Sequence, residues 1–390
     1  MFYELAGPTW GEEELEAIQR VVRSGRFTMG EEVAEFERQF ARYFGVRYGV
    51  MVNSGSSANL ISTAALFYKK ELPLKRGDEA IVPAISWSTT FDPLQQYGLK
   101  LRFVDVALDT LNMDTSKLEQ ALTPQTRLIV AVSVLGNPAE LDVIRDFAKR
   151  HGLYLLEDNC ESADAEVAGR KTGTFGDLNT FSFFFSHHIS TMEGGMVLTD
   201  DEELMHLLKS IRAHGWTRDL PAGSPLFERR GNDHFEAYRF ILPGYNVRPL
   251  EVSGAIGLEQ LKKLPRMTQQ RRKNLAVFQN AFSRDERFII QRENGKSSSF
   301  SFTIVLNPRA NINREKVFTA LRDASIGFRM ITGGCFPNHD AIKYFDYTLA
   351  GNIDNANLAH NHGFFVGNHP IDLEPQITRL HAVLDKACSS

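Results

Sequence analysis

The chain is 390 residues long and 43% hydrophobic, with a formal net charge of -4 at pH 7. Such a length suits one large or two medium domains around a substantial core, and so mild a charge supplies no field that would gather nucleic acid or an anionic membrane. The residues from Met1 to Pro8 carry no basic stretch ahead of a long apolar one, the longest apolar run (Leu128 to Gly136) is far too short to span a bilayer, and three widely spaced cysteines fit a reducing compartment. These features predict a soluble, cytoplasmic protein of enzyme size.

In chain order, Glu12 to Arg23 and Glu32 to Phe44 place apolar residues at helical spacing, through Leu15, Ile18 and Val22 in the first and Val33, Phe36 and Phe40 in the second. Gly55-Ser-Ser-Ala-Asn59 opens a helix that runs to Phe67. Short strands are predicted at 80–83, 101–105, 128–135, 153–156, 179–184 and 196–199. Helical patterns lie between several of them, which argues for a largely parallel sheet covered on both faces. The stretch from Leu220 to Asp233, with Pro221, Gly223, Pro225 and Gly231, reads as a long polar excursion. Beyond Gly244 the pattern changes to a long helix over 253–282, strands near 300–306, a helix at 314–324 and a closing helix after Glu374. The change predicts a large unit of residues 1–249 and a smaller C-terminal unit of residues 250–390.

Several segments carry candidate chemistry, each with a plainer explanation beside it. Asn53-Ser-Gly-Ser-Ser-Ala-Asn59 joins an apolar run to a helix start, where free amides suit a phosphate, though a Ser/Gly turn capping a helix has the same composition. Asp158 closes a predicted strand at the end where open α/β sheets present ligands, and a carboxylate there can pair with a pyridinium nitrogen or simply cap a helix. Glu161, one turn on, can face the same pocket, while Cys160 reads as core. Trp87 follows another strand and can stack on a flat ligand or merely pack. His187 and His188, with Glu193 or His214, offer metal-ligand chemistry, but adjacent side chains on an extended segment point to opposite faces, so no metal site is expected.

Taken in order, Ser54-Gly-Ser56, Pro83-Ala-Ile-Ser-Trp87, Glu157-Asp158, the run from Ser182-Phe183 to Gly195, Arg212-Ala-His-Gly215 and Gly244-Tyr-Asn-Val-Arg248 resemble the DegT/DnrJ/EryC1/StrS family of sugar aminotransferases. The resemblance spans most of the chain. It implies an α/β architecture, the pyridoxal-phosphate (PLP)-dependent transferase fold type I, with a seven-stranded, mostly parallel sheet in the large domain and a smaller C-terminal α/β domain. It also implies that Gly55, Ser56 and Ser182 hold the cofactor phosphate, Trp87 stacks on its ring, Asp158 pairs with the ring nitrogen and Glu161 sits near the ring substituents. Asn246 is expected to reach the phosphate from the neighbouring subunit of a homodimer, and His188, His214 and Arg248 are the expected substrate contacts.

One position departs from the family. Its cofactor lysine precedes Glu-Gly-Gly in a Ser-Phe-x-x-x-Lys frame, and here that position is His187, with no lysine between Lys171 and Lys209. An imidazole cannot join the aldehyde as an amine does, so PLP, or its amine form pyridoxamine phosphate (PMP), is expected to be bound without a lysine link. With an ordinary pKa of about 6.5, an imidazole serves as base near neutrality and, once protonated, as acid. The resemblance then implies loss of the C3 hydroxyl from a nucleotide-linked, by likeness GDP-linked, 4-keto-6-deoxyhexose, with L-glutamate supplying the amine and ammonia released. A related branch uses an iron-sulfur centre and a reductase partner; three distant cysteines cannot supply its four thiolates. The rival readings are an ordinary aminotransferase using another lysine, and a degenerate member that only binds sugar or cofactor. Retention of Asp158 and the other cofactor positions argues against the second.

Overall fold

The computed structural model describes residues 2–389. Its central sheet has eight strands in the order Tyr48–Val52, Gly195–Thr199, Leu178–Ser182, Tyr154–Asp158, Thr126–Val132, Glu79–Pro83, Lys100–Val104 and Tyr347–Leu349. Only Gly195–Thr199 runs against the others, being antiparallel to both neighbours while the remaining pairs are parallel. The predicted strands are all present, shifted by up to three residues at their ends, as local patterns allow. The sequence marks Gly49–Val52 only as an apolar run, and the eighth strand exceeds the seven that the resemblance implies: Tyr347–Leu349 is a three-residue exposed edge, too short to show alternation, and it is recruited by parallel pairing of Tyr347 with Leu101.

Helices cover both faces because the strands are apolar on both sides. One core gathers Val50, Ile61, Val82 and Leu207, and the other gathers Ile81, Ile129, Ile144 and Phe147. The helix Glu31–Phe44 buries Val33, Phe36 and Phe40, the residues its periodicity selects. The helix Glu12–Ser24 departs from its pattern: Glu14, Ala17 and Val21 are buried, whereas Leu15 and Val22 are 46% and 59% exposed. The inward stripe is decided by Glu14, whose carboxylate accepts hydrogen bonds from the Gly11 amide (2.7 Å), Gln260 Nε2 (2.8 Å) and Lys263 Nζ (2.7 Å). A buried carboxylate so paired keeps its charge at no large cost.

The helix Glu251–Phe282 joins the two parts of the chain. Near its start Gly254 lies so close to the backbone of Val33 that a Cβ would meet the Val33 nitrogen at 2.6 Å. Its second half delivers Leu275, Phe278 and Phe282 to a separate core over a four-stranded antiparallel sheet, ordered Phe288–Ile289, Ser301–Leu306, Gly363–Gly367 and Phe328–Arg329. Segments cross the division expected at residue 250 in both directions. Tyr3 packs into the C-terminal core and donates its hydroxyl to the Gly367 carbonyl, while Tyr347–Leu349 joins the N-terminal sheet. Turn chemistry alone could not reveal either exchange, since both are long-range pairings.

Candidate active site

Because these strands run the same way, five of them deliver their C-terminal ends to one edge of the sheet, where open α/β sheets bind ligands. Those ends include Val132 and lead into Ser54, Trp87, Asp158 and the segment after Ser182. Together they border a cavity of about 820 Å³ of open space, with Gly55, Ser56, Trp87, Asp158, Glu161, Ser182 and His187 on its wall. These are seven of the positions expected from the sequence. No lysine is among the wall residues.

At the start of the helix Gly55–Phe67, Ser54 caps the end, its Oγ accepting from the Ser57 amide at 3.1 Å. The Ser56 hydroxyl bonds Thr89 Oγ1 at 2.9 Å. A Cβ on Gly55 would meet Ser182 Cβ at 2.6 Å and Cys160 Sγ at 2.9 Å, so only glycine lets these elements close. The result is a helix N-terminus ringed by small hydroxyl side chains, the donor set a phosphate requires.

Asp158 is buried and lacks any cationic partner among the described residues. Its Oδ2 accepts from Asn59 Nδ2 (2.9 Å) and Thr90 Oγ1 (2.8 Å), and its Oδ1 from the Cys160 amide (3.1 Å). A carboxylate held by neutral donors and facing a cavity fits a protonated ring nitrogen. Its neighbour Glu157 points the other way and accepts from the amides of Gly173, Phe175 and Gly176, fastening a loop instead. Strand alternation separates the two acids; their identities do not.

The segment between Ser182 and Gly195 is closed on itself, with the Phe183 amide donating to the Gly194 carbonyl at 2.8 Å and the Thr191 amide to the Phe183 carbonyl at 2.9 Å. Trp10 Nε1 and the Gln260 side chain clamp Ser190 from outside. This loop presents His187 to the cavity, its Nδ1 buried without a hydrogen-bond partner. Burial pushes the imidazole down to about 4; the carbonyls of Ser182 and Cys160 and the Asp158 charge oppose this, and burial wins. The ordinary value near 6.5 expected from the sequence is thereby corrected, and His187 is neutral, a proton acceptor, at pH 7. Glu161 is driven the opposite way by burial, up to about 7, and accepts from the Leu135 amide and the Thr332 hydroxyl. Burial also raises the Cys160 thiol well above its usual range, so it is not a nucleophile.

His188, His214, Asn246 and Arg248 are not on the cavity wall. His188 is buried with its ring 5.6 Å from that of Phe300, whereas His214 and Asn246 are exposed, and Arg248 Nε donates to Asn246 Oδ1 at 3.0 Å. The sequence does not single out several other wall residues, among them Asn59, Thr90 and Thr332. The first two lie one helical turn beyond Gly55 and Trp87, a spacing that marks a shared face. Thr332 arrives from the C-terminal part, and only its place before Gly333-Gly334 hints at a tight approach. No cluster of three or more potential metal ligands occurs among the described residues.

The family model of the DegT/DnrJ/EryC1/StrS aminotransferases matches residues 8–371. The GDP-4-keto-6-deoxy-D-mannose 3-dehydratase of Yersinia pseudotuberculosis is 52% identical over 386 residues, 98% of either chain. A solved GDP-4-keto-6-deoxymannose-3-dehydratase with a trapped PLP-glutamate geminal diamine is 50% identical with a TM-score of 0.96, the match covering 98% of this chain and all of that one. A histidine-to-asparagine mutant of such an enzyme with bound GDP-perosamine superposes equally well, at 49% identity and the same coverage.

Proposed function

The chain belongs to the DegT/DnrJ/EryC1/StrS aminotransferase family, and within it we propose that the protein is a dehydratase, carried by one observation: the cavity wall offers His187 and no lysine. It is a PLP- and PMP-dependent 3-dehydratase that removes the C3 hydroxyl of GDP-4-keto-6-deoxy-D-mannose. L-Glutamate supplies an amine that leaves as ammonia. The atoms balance when sugar and glutamate become the 4-keto-3,6-dideoxy sugar, 2-oxoglutarate and ammonia, and the two electrons that reduce C3 are those glutamate loses. No iron-sulfur reductase is then required.

The donor set fits the cofactor: Gly55, Ser56 and Ser182 for its phosphate, Asp158 for its ring nitrogen, Trp87 for its face and Glu161 for its ring substituents. When bound, the cofactor supplies an amine for the sugar ketone and an aromatic ring to hold electrons. His187, with Nδ1 buried, exchanges protons at Nε2: neutral, it accepts one beside the ring, and charged, it donates one to the departing C3 hydroxyl. Asp158 keeps the ring nitrogen protonated.

The finer reading is a homodimer whose sites are shared. Asn246 and His214, exposed on their own subunit, and the half-buried Arg248 would reach the partner's phosphate and substrate, and exposed Phe27, Phe185 and Leu250 would lie under the contact. His188, enclosed as it is, would act only by supporting His187. A cytoplasmic place, colitose as end product and O-antigen lipopolysaccharide as destination complete the proposal; no helix among the described residues is long and apolar enough to cross a membrane.

The test is ammonia release with glutamate and GDP-, CDP- or dTDP-linked 4-keto-6-deoxyhexoses, with only the GDP sugar expected to turn over well. Borohydride treatment of the PLP form, then denaturation, should release all cofactor and leave the protein mass unchanged. A phosphopyridoxyl mass on one lysine would instead revive the aminotransferase reading. Cofactor that never converts from aldehyde to amine with glutamate would leave only a binding protein.

A further inference from the structure

Glu161 accepts hydrogen bonds from both parts of the chain. Leu135, just beyond the strand Thr126–Val132, donates its amide to Oε2 at 3.0 Å, and Thr332, from the C-terminal part, donates its hydroxyl to Oε1 at 2.8 Å. Both donors sit at positive φ, +52° for Leu135 and +38° for Thr332, a conformation branched side chains avoid and that persists only where surrounding structure imposes it. The surroundings of Thr332 do impose it. Ile85 bridges to Cys335, the Phe336 amide donates to the Ala84 carbonyl at 2.8 Å, and Gly333 lies so near Ser86 that a Cβ would meet its carbonyl oxygen at 2.8 Å. His339 Nε2 bonds the Gly333 carbonyl and His360 Nδ1 accepts from the Cys335 amide, closing the far side. The loop therefore lies flat against 84–86, the run that leads to Trp87.

We propose that Thr332 is a positioning residue of the dehydration, its hydroxyl reaching across from the C-terminal unit to fix the Glu161 carboxyl in the orientation it presents to the cofactor. This rests on the reading of the cavity as the cofactor site. With one donor on each oxygen, the carboxyl plane cannot rotate, and one lone pair per oxygen remains for the cavity. The other acidic side chains on the wall are Asp158 and Glu193; His187 and Cys160 are the remaining titratable neighbours, both held neutral by burial. No cation on the wall can stand in for the Thr332 hydroxyl. A hydrogen bond to the charged form favours ionisation, so removing it keeps Glu161 protonated to higher pH, in line with the direction in which Thr332 acts on it.

The experiment is a pH titration, from about pH 5 to pH 9, of the absorbance of bound PLP in wild type, Thr332→Val, Thr332→Ser and Glu161→Gln, without sugar present. Thr332→Val keeps the shape and deletes the hydroxyl; its midpoint is expected to rise by on the order of one pH unit. Thr332→Ser restores the wild-type midpoint, and Glu161→Gln abolishes the transition. In turnover, Thr332→Val lowers kcat with little change in KM. A Val variant titrating as wild type, a Ser variant titrating as Val, or a transition surviving in Glu161→Gln would each overturn the proposal. Wild type that holds no PLP, or holds it without dehydrating the sugar, would instead count against the function proposed above.

Discussion

A histidine in place of a lysine changes both how the cofactor is held and what can move a proton. His187→Asn preserves shape and polarity but cannot titrate, so ammonia release should fall by about two to four orders of magnitude while cofactor absorbance and melting temperature persist. Wild-type-like turnover in that variant would move the base to another group. The same residue leaves a signature in the apoprotein. Its folded value near 4 lies below the unfolded value of 6.5, so its contribution is complete above pH 6.5 and is lost as pH falls toward 4. That loss is on the order of 3 kcal/mol. Glu161 has the opposite sign: raised from 4.5 to about 7, its contribution is complete below 4.5 and disappears as pH rises through 7. Thermal melts of apo His187→Asn should therefore decline less between pH 6.5 and 4.5 than those of wild type; parallel curves would remove His187 from that account.

At the scale of elements, the site depends on how closely a helix start can approach two strand ends. Gly55→Ala puts a methyl 2.6 Å from Ser182 Cβ, and the clash must push the helix off the strand end. The expected cost is about 1–3 kcal/mol of stability and at least a tenfold weaker affinity for PLP, about 1.4 kcal/mol, read by equilibrium dialysis. Unchanged affinity would separate these amides from the phosphate. The helix Glu12–Ser24 shows how a polar residue can set an element's facing: burying Glu14 against Lys263 and Gln260 turns Leu15 and Val22 outward. An isolated hydrophobic pattern could not foresee a partner about 250 residues away.

For the whole molecule, the proposed shared site, in which exposed Asn246 and half-buried Arg248 serve the partner, makes a lone subunit an incomplete enzyme. Cofactor should therefore be lost together with the dimer on dilution, the two transitions coinciding in sedimentation velocity recorded at a PLP absorbance wavelength. A monomer that retains cofactor and full activity would refute shared sites. The crossing of Tyr3 and of Tyr347–Leu349 between the two units predicts one cooperative melt, because Tyr3 completes the C-terminal core and Tyr347–Leu349 the edge of the N-terminal sheet.

By itself the sequence determined the order of the long helices and of most strands of the central sheet, the small-residue turn at Ser54–Ser57, the carboxylate at a strand end and the absence of a lysine from the cofactor segment. These are properties of residue identity and local periodicity, legible without knowing what lies opposite. Tertiary structure decided which neighbour faces the cavity: Asp158 and not Glu157, His187 and not His188. It also brought Thr332 onto Glu161, added the eighth strand and moved the His187 imidazole from its ordinary range to about 4. The reason is physical. Facing, register across long gaps and desolvation are set by contacts between residues far apart in the chain, and no pattern within a single segment encodes them.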